Sequence, residues 1–259
     1  AIAENPDQTE VSLTGCDIGN EGALGLAQVL QKHHQVMGLF LNGSNIGEAG
    51  AVALSAPLKS QANLENLQMT SCRIGARGLH ALEPLMKKKQ GLKSLILADC
   101  NAGAEGARSV AAALRTNESI KELVLRDNSL GDDGVIALAA ALERNCGVTD
   151  LDLARTGLGA DGCSALASMI EKNCSLQQIC LSQNELSKRA IEALRPGLQK
   201  CKCLLSINLE DNGLGDEGAR VLAEAMESNT TILSVYVQNN GIGPIGGEFI
   251  ADALEKRRS

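Results

Sequence analysis

The feature that most constrains this chain is a period of 28 residues that holds from one end to the other. A large aliphatic residue stands at Leu13, Leu41, Met69, Leu97, Leu125, Leu153, Leu181, Leu209 and Val237, each 28 after the last. A second column keeps step at Gly19, Gly47, Gly75, Gly103, Gly131, Gly159, Gly215 and Gly243, with Ser187 its one exception. Nine copies at one spacing describe a repeat protein, in which each copy is a supersecondary unit that buries its apolar face against its neighbours. The 259 residues therefore predict a single elongated solenoid domain over 1–259. Within it, residues 1–5 read as the tail of a preceding helix or a cap, and 6–259 as nine repeats.

The stretch Ile120 to Asn145 shows how one unit is built. Leu123, Val124 and Leu125 alternate in and out, as side chains on a strand do. Asn128 marks a turn. Beyond Gly131 and Gly134, Leu138 and Leu142 stand four apart, on one face of a helix. Strands joined by helices in units of this length are parallel neighbours in one sheet, with the helices in a second layer. A helix is about 10 Å wide and a strand about 4.8 Å, so the stack must curve with the sheet inside the bend. The expected fold class is α/β: a solenoid or horseshoe of about nine 28-residue strand–turn–helix units, parallel sheet on the concave face and helices on the convex face. Two Phe, one Tyr and no Trp leave the core to Leu, Ile, Val and Ala, which suits a stack of near-identical layers.

The pattern LxxLxLxxN followed by LGxxGxxxLxxxL is carried by Ile120, Leu123, Leu125, Asn128, Leu130, Gly131, Gly134, Leu138 and Leu142. It resembles the leucine-rich repeat. The unit length and long helix are similar to those of the ribonuclease-inhibitor-like subfamily, which includes the sensor regions of NOD-like receptors and the Ran GTPase-activating protein. The resemblance implies a turn column of Asn or Cys whose side chains satisfy buried backbone groups of adjacent strands. Here that column reads Cys16, Ser44, Cys72, Cys100, Asn128, Thr156, Asn184, Asn212 and Asn240. Ser44 and Thr156 depart from it but keep a hydrogen-bonding hydroxyl.

The unit that starts at Leu176 is irregular. Ser187 and Ala190 replace both glycines of its helix start, and Pro196 enters the helix, where it removes a backbone hydrogen bond. A local change of curvature is expected there. At the far end, Glu255, Lys256, Arg257 and Arg258 follow Leu254 with no further apolar strand, which reads as a polar cap. Acidic residues at helix starts (Asp132, Asp133, Asp216, Glu217) and Lys87, Lys88 and Lys89 at a helix end complement the helix dipole.

Several functions are disfavoured. A net charge of −7 argues against non-specific nucleic-acid or anionic-membrane binding, and no run approaches the roughly 18 apolar residues of a membrane span. Nine cysteines, an odd number without paired secreted spacing, read as free thiols and a cytoplasmic location. Asn42, Asn117, Asn173 and Asn229 head glycosylation-type triplets. The last three share one column at the helix end, where residues tolerant of a left-handed backbone are favoured, and so read as structural punctuation. GxGxxG occurs at Gly157, Gly213 and Gly241, after a strand and before a helix each time. The period explains all three without a nucleotide. Cys146, Cys174, Cys201 and Cys203 lie in loops before successive strands, which would gather them at one edge. They lack the CxxC pairs of a zinc site. His33, His34 and His80 read as solvent-exposed. No metal, cofactor or small-molecule substrate is expected.

The informative residues are those the period does not fix. Strand residues that alternate with buried leucines face the bend: Ser12, Phe40, Gln68, Ile96, Val124, Asp152, Cys180, Asn208 and Tyr236. From this column and its neighbours the expected partner-binding residues are Phe40, Ile96, Val124, Arg126, Asp127, Asp152, Arg155, Asp211 and Tyr236. Phe40 and Tyr236 would act as rigid apolar anchors near the two ends, and the charged residues would set selectivity between them. The expected function is a protein-binding scaffold or adaptor that docks a partner protein on its concave face, and not an enzyme. The family resemblance also implies the sensor region of a larger NOD-like receptor, a ribonuclease-inhibitor-like inhibitor, or a GTPase-activating protein for a small GTPase, to which Arg73, Arg126 or Arg155 would contribute a polar side chain.

Overall fold

The computed structural model describes residues 8–88 and 90–256. The expected helix tail over 1–5, and Lys89, Arg257 and Arg258, lie outside the described residues. Strand and helix alternate without interruption: β1 Glu10–Ser12, α1 Gly19–Leu30, β2 Gly38–Phe40, α2 Glu48–Ser60, β3 Asn66–Gln68, α3 Gly75–Met86, β4 Ser94–Ile96, α4 Gly103–Leu114, β5 Glu122–Val124 and α5 Gly131–Leu142. They continue as β6 Asp150–Asp152, α6 Ala160–Lys172, β7 Gln178–Cys180, α7 Lys188–Lys200, β8 Ser206–Asn208, α8 Gly215–Ser228, β9 Ser234–Tyr236 and α9 Pro244–Lys256. The strands form one open parallel sheet in chain order. Each residue pairs with the one 28 later, from Val11↔Leu39 through Leu123↔Leu151 to Ile207↔Val235. This is the leucine-rich-repeat solenoid that the period predicts, with the sheet lining the inner curve and the helices outside.

The core lies between the two layers and runs the length of the stack. Each unit sends the middle residue of its strand inward (Leu39, Leu67, Leu95, Leu123), then the next leucine column (Leu41, Met69, Leu97, Leu125), then two turns of its helix (Leu54 and Leu58, Leu138 and Leu142). All of these are sealed from solvent. Helices sit close because the second glycine column has no side chain. A methyl group at Gly50 would lie 2.9 Å from the Cβ of Ala23 in the preceding helix.

Two polar columns run through this core. In the turn column Asn212 shares its amide hydrogens among the carbonyls of Leu181, Leu209 and Glu210, and its Oδ1 accepts from the N–H groups of Asn184 and Leu186. Asn128, Asn184 and Asn240 repeat the arrangement. Cys72 and Cys100 make a reduced version, each thiol donating to one carbonyl of the preceding unit, Leu41 at 3.1 Å and Met69 at 2.9 Å. The Thr156 hydroxyl shares its proton between Leu153 O of its own unit at 2.8 Å and Asn184 Oδ1 of the next at 3.2 Å. Cys16, in the first unit, is exposed.

The second column sits at the helix ends. Asn173 donates to Leu142 O and Asn145 O of the preceding unit and accepts from the N–H groups of Ser175 and Leu176. Asn117, Asn145 and Asn229 do likewise. These backbones are not left-handed, as the helix-end reading would have it: Asn173 (φ −67, ψ 140) and Asn229 (φ −98, ψ 128) are extended. The column selects Asn for its amide and not for its backbone tolerance. Because Asn117, Asn173 and Asn229 are buried with their amides engaged, punctuation is the reading the fold supports.

The helix starts fall into two kinds. At Gly19, Gly75, Gly103, Gly131 and Gly215 the backbone is left-handed, with φ between +58 and +61, and the N–H reaches a turn-column carbonyl of the following unit, as in Gly131 N to Thr156 O at 2.9 Å. At Gly47, Gly159 and Ser187 the backbone is extended. The N–H groups of Gly47 and Gly159 are taken by a side chain of the preceding helix start, Asn20 Oδ1 at 2.9 Å and Asp132 Oδ1 at 2.6 Å. Gly243 N–H donates to Asp216 Oδ1 in the same way. Asp132 and Asp216 thus do more than complement their own helix: each caps the next one. Ser187 can replace glycine because its position needs no positive φ. Pro196 does not end α7, which runs unbroken over 13 residues as α6 does. Pro84 holds the same place in α3.

The last unit has no neighbour beyond it among the described residues. Leu233 (76% exposed), Ile245 (60%) and Leu254 (49%) stand in solvent. A cleft of about 310 Å³ opens between β9, α8 and α9, lined by Leu222, Met226, Val235, Val237, Ile250 and Leu254. The described face of this end is apolar, and Arg257 and Arg258 of the expected polar cap lie outside the described residues.

Candidate functional site

The strands place two rows of side chains on the inner curve, because residues two apart on a strand share a face. One row is Glu122, Asp150, Gln178 and Ser206; the other is Val124, Asp152, Cys180, Asn208 and Tyr236. Together they line a hollow of about 310 Å³ across β5 to β9. Its polar groups are held in place. Glu122 accepts from the Ser94 hydroxyl at 2.6 Å, Asp150 from the Thr149 hydroxyl at 2.6 Å, and Asp152 from the Ala154 N–H at 2.9 Å. Asn208 receives the Glu210 N–H and returns its amide to the Glu210 carboxylate. Cys180 sits over Ser182 at 3.3 Å, and burial, followed by the charge of Asp152, pushes its thiol up. The hollow carries three carboxylates and neither Lys nor Arg, with Val124, Cys180 and the ring of Tyr236 between them.

Of the residues expected from sequence, Val124, Asp152 and Tyr236 meet in this hollow. Phe40 and Ile96 lie on β2 and β4 outside it. The Phe40 ring folds back over Gly38, where a methyl group would lie 2.9 Å from Cε2, and the side chain is half-buried. Asp127, Arg155 and Asp211 stand past the strand ends, in turns with φ of 60, 50 and 52. They form a rim and not a floor. Arg155 pairs with Asp127 there at 3.2 Å and borders a separate cleft with Ser129, Gln183 and Glu185. Arg126 is exposed on the same side. Glu122, Cys180 and Asn208 were missing from the expected set. The two-residue strand spacing puts them on the same face, a signal that the aromatic and charged positions overshadowed.

The GxGxxG segments offer no room for a phosphate at two of their three helix starts. Asp132 and Asp216 already receive the N–H groups of Gly159 and Gly243, and a carboxylate there repels an anion. Among the described residues, no group of three or more His, Cys, Asp or Glu side chains gathers to hold a metal ion, and no helix is long and apolar enough to cross a membrane.

Among solved structures, leiomodin-1 actin-binding site 2 superposes with a TM-score of 0.51 at 17% identity, over 57% of this chain and 87% of that one. The tropomodulin C-terminal domain of Caenorhabditis elegans gives 0.47 at 17% identity, over 59% and 93%. A chain of the yeast Rad7–Elc1 complex gives 0.52 at 19% identity over 89% of this chain, which spans 63% of that longer one. At these identities the likeness is one of fold. No curated protein matches the sequence. The family profile described as "Leucine Rich repeat" matches residues 9–27, 116–139, 144–167, 200–223 and 228–251, which fall in five different units of the stack. With nine strand–turn–helix units in one 28-residue register among the described residues, this chain has the leucine-rich-repeat fold.

Proposed function

We propose that the chain is a protein-binding scaffold whose partner docks on the inner curve of the sheet, over the hollow between β5 and β9. The observation that carries this reading is a continuous surface of unrepeated side chains on a frame that otherwise repeats. Fixed carboxylates alternate there with Val124, Cys180 and Tyr236, the mix of apolar anchor and oriented polar group that binding surfaces use. Three carboxylates without a cation make the complementary surface a basic one. The actin-binding site 2 of leiomodin-1 and a chain of the Rad7–Elc1 complex share this fold, which supports the class of function but names no partner. Within the repeat class, the 28-residue unit favours the ribonuclease-inhibitor-like subfamily, and a sensor region of a larger receptor is the context that fits such a unit best.

Site-specific photo-crosslinking tests the reading. A benzophenone side chain at Val124 or Asn208 is expected to capture the partner, and one at Ile136 or Glu192 on the helical side is not. Capture from the helical positions alone would overturn it. Tyr236→Ala is expected to weaken binding roughly ten-fold or more, in the range of an aromatic anchor, with little change in thermal stability.

A further inference from the structure

Cys146 and Cys174 occupy the same place in successive units, in the loops that lead from α5 to β6 and from α6 to β7. Their sulfurs lie 3.4 Å apart, and both side chains are exposed. We propose that the two form a thiol–disulfide site, an inter-repeat dithiol that low-molecular-weight disulfides such as oxidised glutathione convert to a Cys146–Cys174 bond.

The backbone beneath them is already set for that bond. Asn145 and Asn173, one residue before each cysteine, are buried, and the Asn173 amide donates to Asn145 O at 2.9 Å. Asn145 in turn bonds Leu114 O at 2.8 Å and receives the N–H groups of Gly147 and Val148. Gly147 is seated on the preceding loop, where a methyl group would lie 2.7 Å from Glu118 O. The sulfurs have to close from 3.4 Å to the roughly 2.05 Å of a disulfide.

The pair is distinctive among the described cysteines. Cys72 and Cys100 are spent on carbonyls of the preceding unit, Cys163 lies in the core and Cys201 is buried against Leu198 O. No other two cysteine sulfurs are hydrogen-bonded to each other among the described residues. The hydrogen bond to Cys174 and its charge, with Glu118 behind, hold the proton on Cys146 and push that thiol up. The thiolate of one of the pair displaces one glutathione thiolate from oxidised glutathione and forms a mixed disulfide. The other then loses its proton to solvent, attacks the first sulfur and releases the second glutathione. Two protein thiols are oxidised and one glutathione disulfide is reduced to two thiols.

The test equilibrates the folded chain at graded ratios of reduced to oxidised glutathione, blocks free thiols, and maps peptides by mass. A Cys146–Cys174 crosslinked peptide is expected, with the midpoint [GSH]²/[GSSG] at least about ten-fold higher for the folded chain than for the chain in urea, because folding raises the effective concentration of one thiol at the other. Cys146→Ser is expected to accumulate a glutathione adduct on Cys174, and Cys174→Ser one on Cys146, neither variant giving a crosslink. Equal midpoints for folded and unfolded chain, or adducts on both cysteines with no crosslink, would overturn the proposal. Titration of the unsubstituted chain with phenylarsine oxide, which bridges two close thiols with loss of water, is a second reading that needs no variant. One equivalent bound, and lost in either serine variant, supports the pair; none bound refutes it.

Discussion

Asn212 shows what a single side chain can hold in a stack. It has no solvent to fall back on, and it satisfies three carbonyls and two N–H groups belonging to two units. Asn212→Ala leaves those groups unpaired in the interior, where each such group costs about 1–3 kcal/mol. A loss of about 3 kcal/mol or more is expected, read as a fall in the urea midpoint with partial opening of β8. Asn212→Cys is expected to recover part of it, because Cys100 supports the same position with one thiol bond. The column itself was legible in the sequence, since Asn, Cys, Ser and Thr recur at one spacing. Its reach was not. That the amide bonds both its own unit and the preceding one, while its oxygen serves two N–H groups of that same preceding unit, depends on the distance between units, which no single unit encodes. The helix-end column failed for a related reason: Asn was read for its backbone tolerance, whereas its amide is what the neighbouring unit uses.

At the scale of the element, what matters is how each helix begins and how near it comes to the last. Asp132 accepts the Gly159 N–H at 2.6 Å, so Asp132→Ala is expected to destabilise by about 1 kcal/mol, a typical cap loss. Asp132→Asn, which keeps the acceptor, should stay near the parent; equal losses in both variants would show that charge and not capping is at work. Gly197 faces the backbone of Ala167, where a methyl group would lie 2.4 Å from the carbonyl oxygen. Gly197→Ala must push α7 off α6, and a loss of about 1–3 kcal/mol is expected from overpacking. Pro196 next to it is exposed and only removes a bond on the outer face of α7. Pro196→Ala should therefore stabilise, by about 2 kcal/mol: roughly 3 kcal/mol for a helix-interior proline, less up to about 1 kcal/mol of unfolded-chain entropy. These four variants, compared by urea titration, separate the roles of cap, close approach and helix continuity.

Across the whole molecule the units share one sheet and one core but not one environment. Interior units are covered on both sides, while the described face of the last unit presents Leu233, Ile245 and Leu254 to water. In a stack whose stability is a sum of unit and interface terms, opening begins at the unit that is covered least. Amide hydrogen exchange is expected to be fastest in β9 and α9 and slowest in β5 and α5; uniform protection along the chain would contradict this. Leu233→Lys is expected to change stability by less than about 0.5 kcal/mol, as for a surface position. The same geometry that exposes the end creates the hollow. Val124, Asp152, Cys180, Asn208 and Tyr236 come from five units and meet only because those units stack in register.

The sequence alone determined the unit, the number of units, the parallel register and the curved two-layer form. Those follow from a fixed period and from which residues cannot stay in water, and both are properties of one unit repeated. Only the tertiary structure decided what passes between units: Asp132 and Asp216 capping the next helix, Ser187 acceptable where the backbone is extended, the rim position of Asp127, Arg155 and Asp211, and the two sulfurs of Cys146 and Cys174 at 3.4 Å. Such features depend on sub-ångström offsets and on backbone angles at turns. A period fixes which residues are neighbours, but it does not fix how they meet.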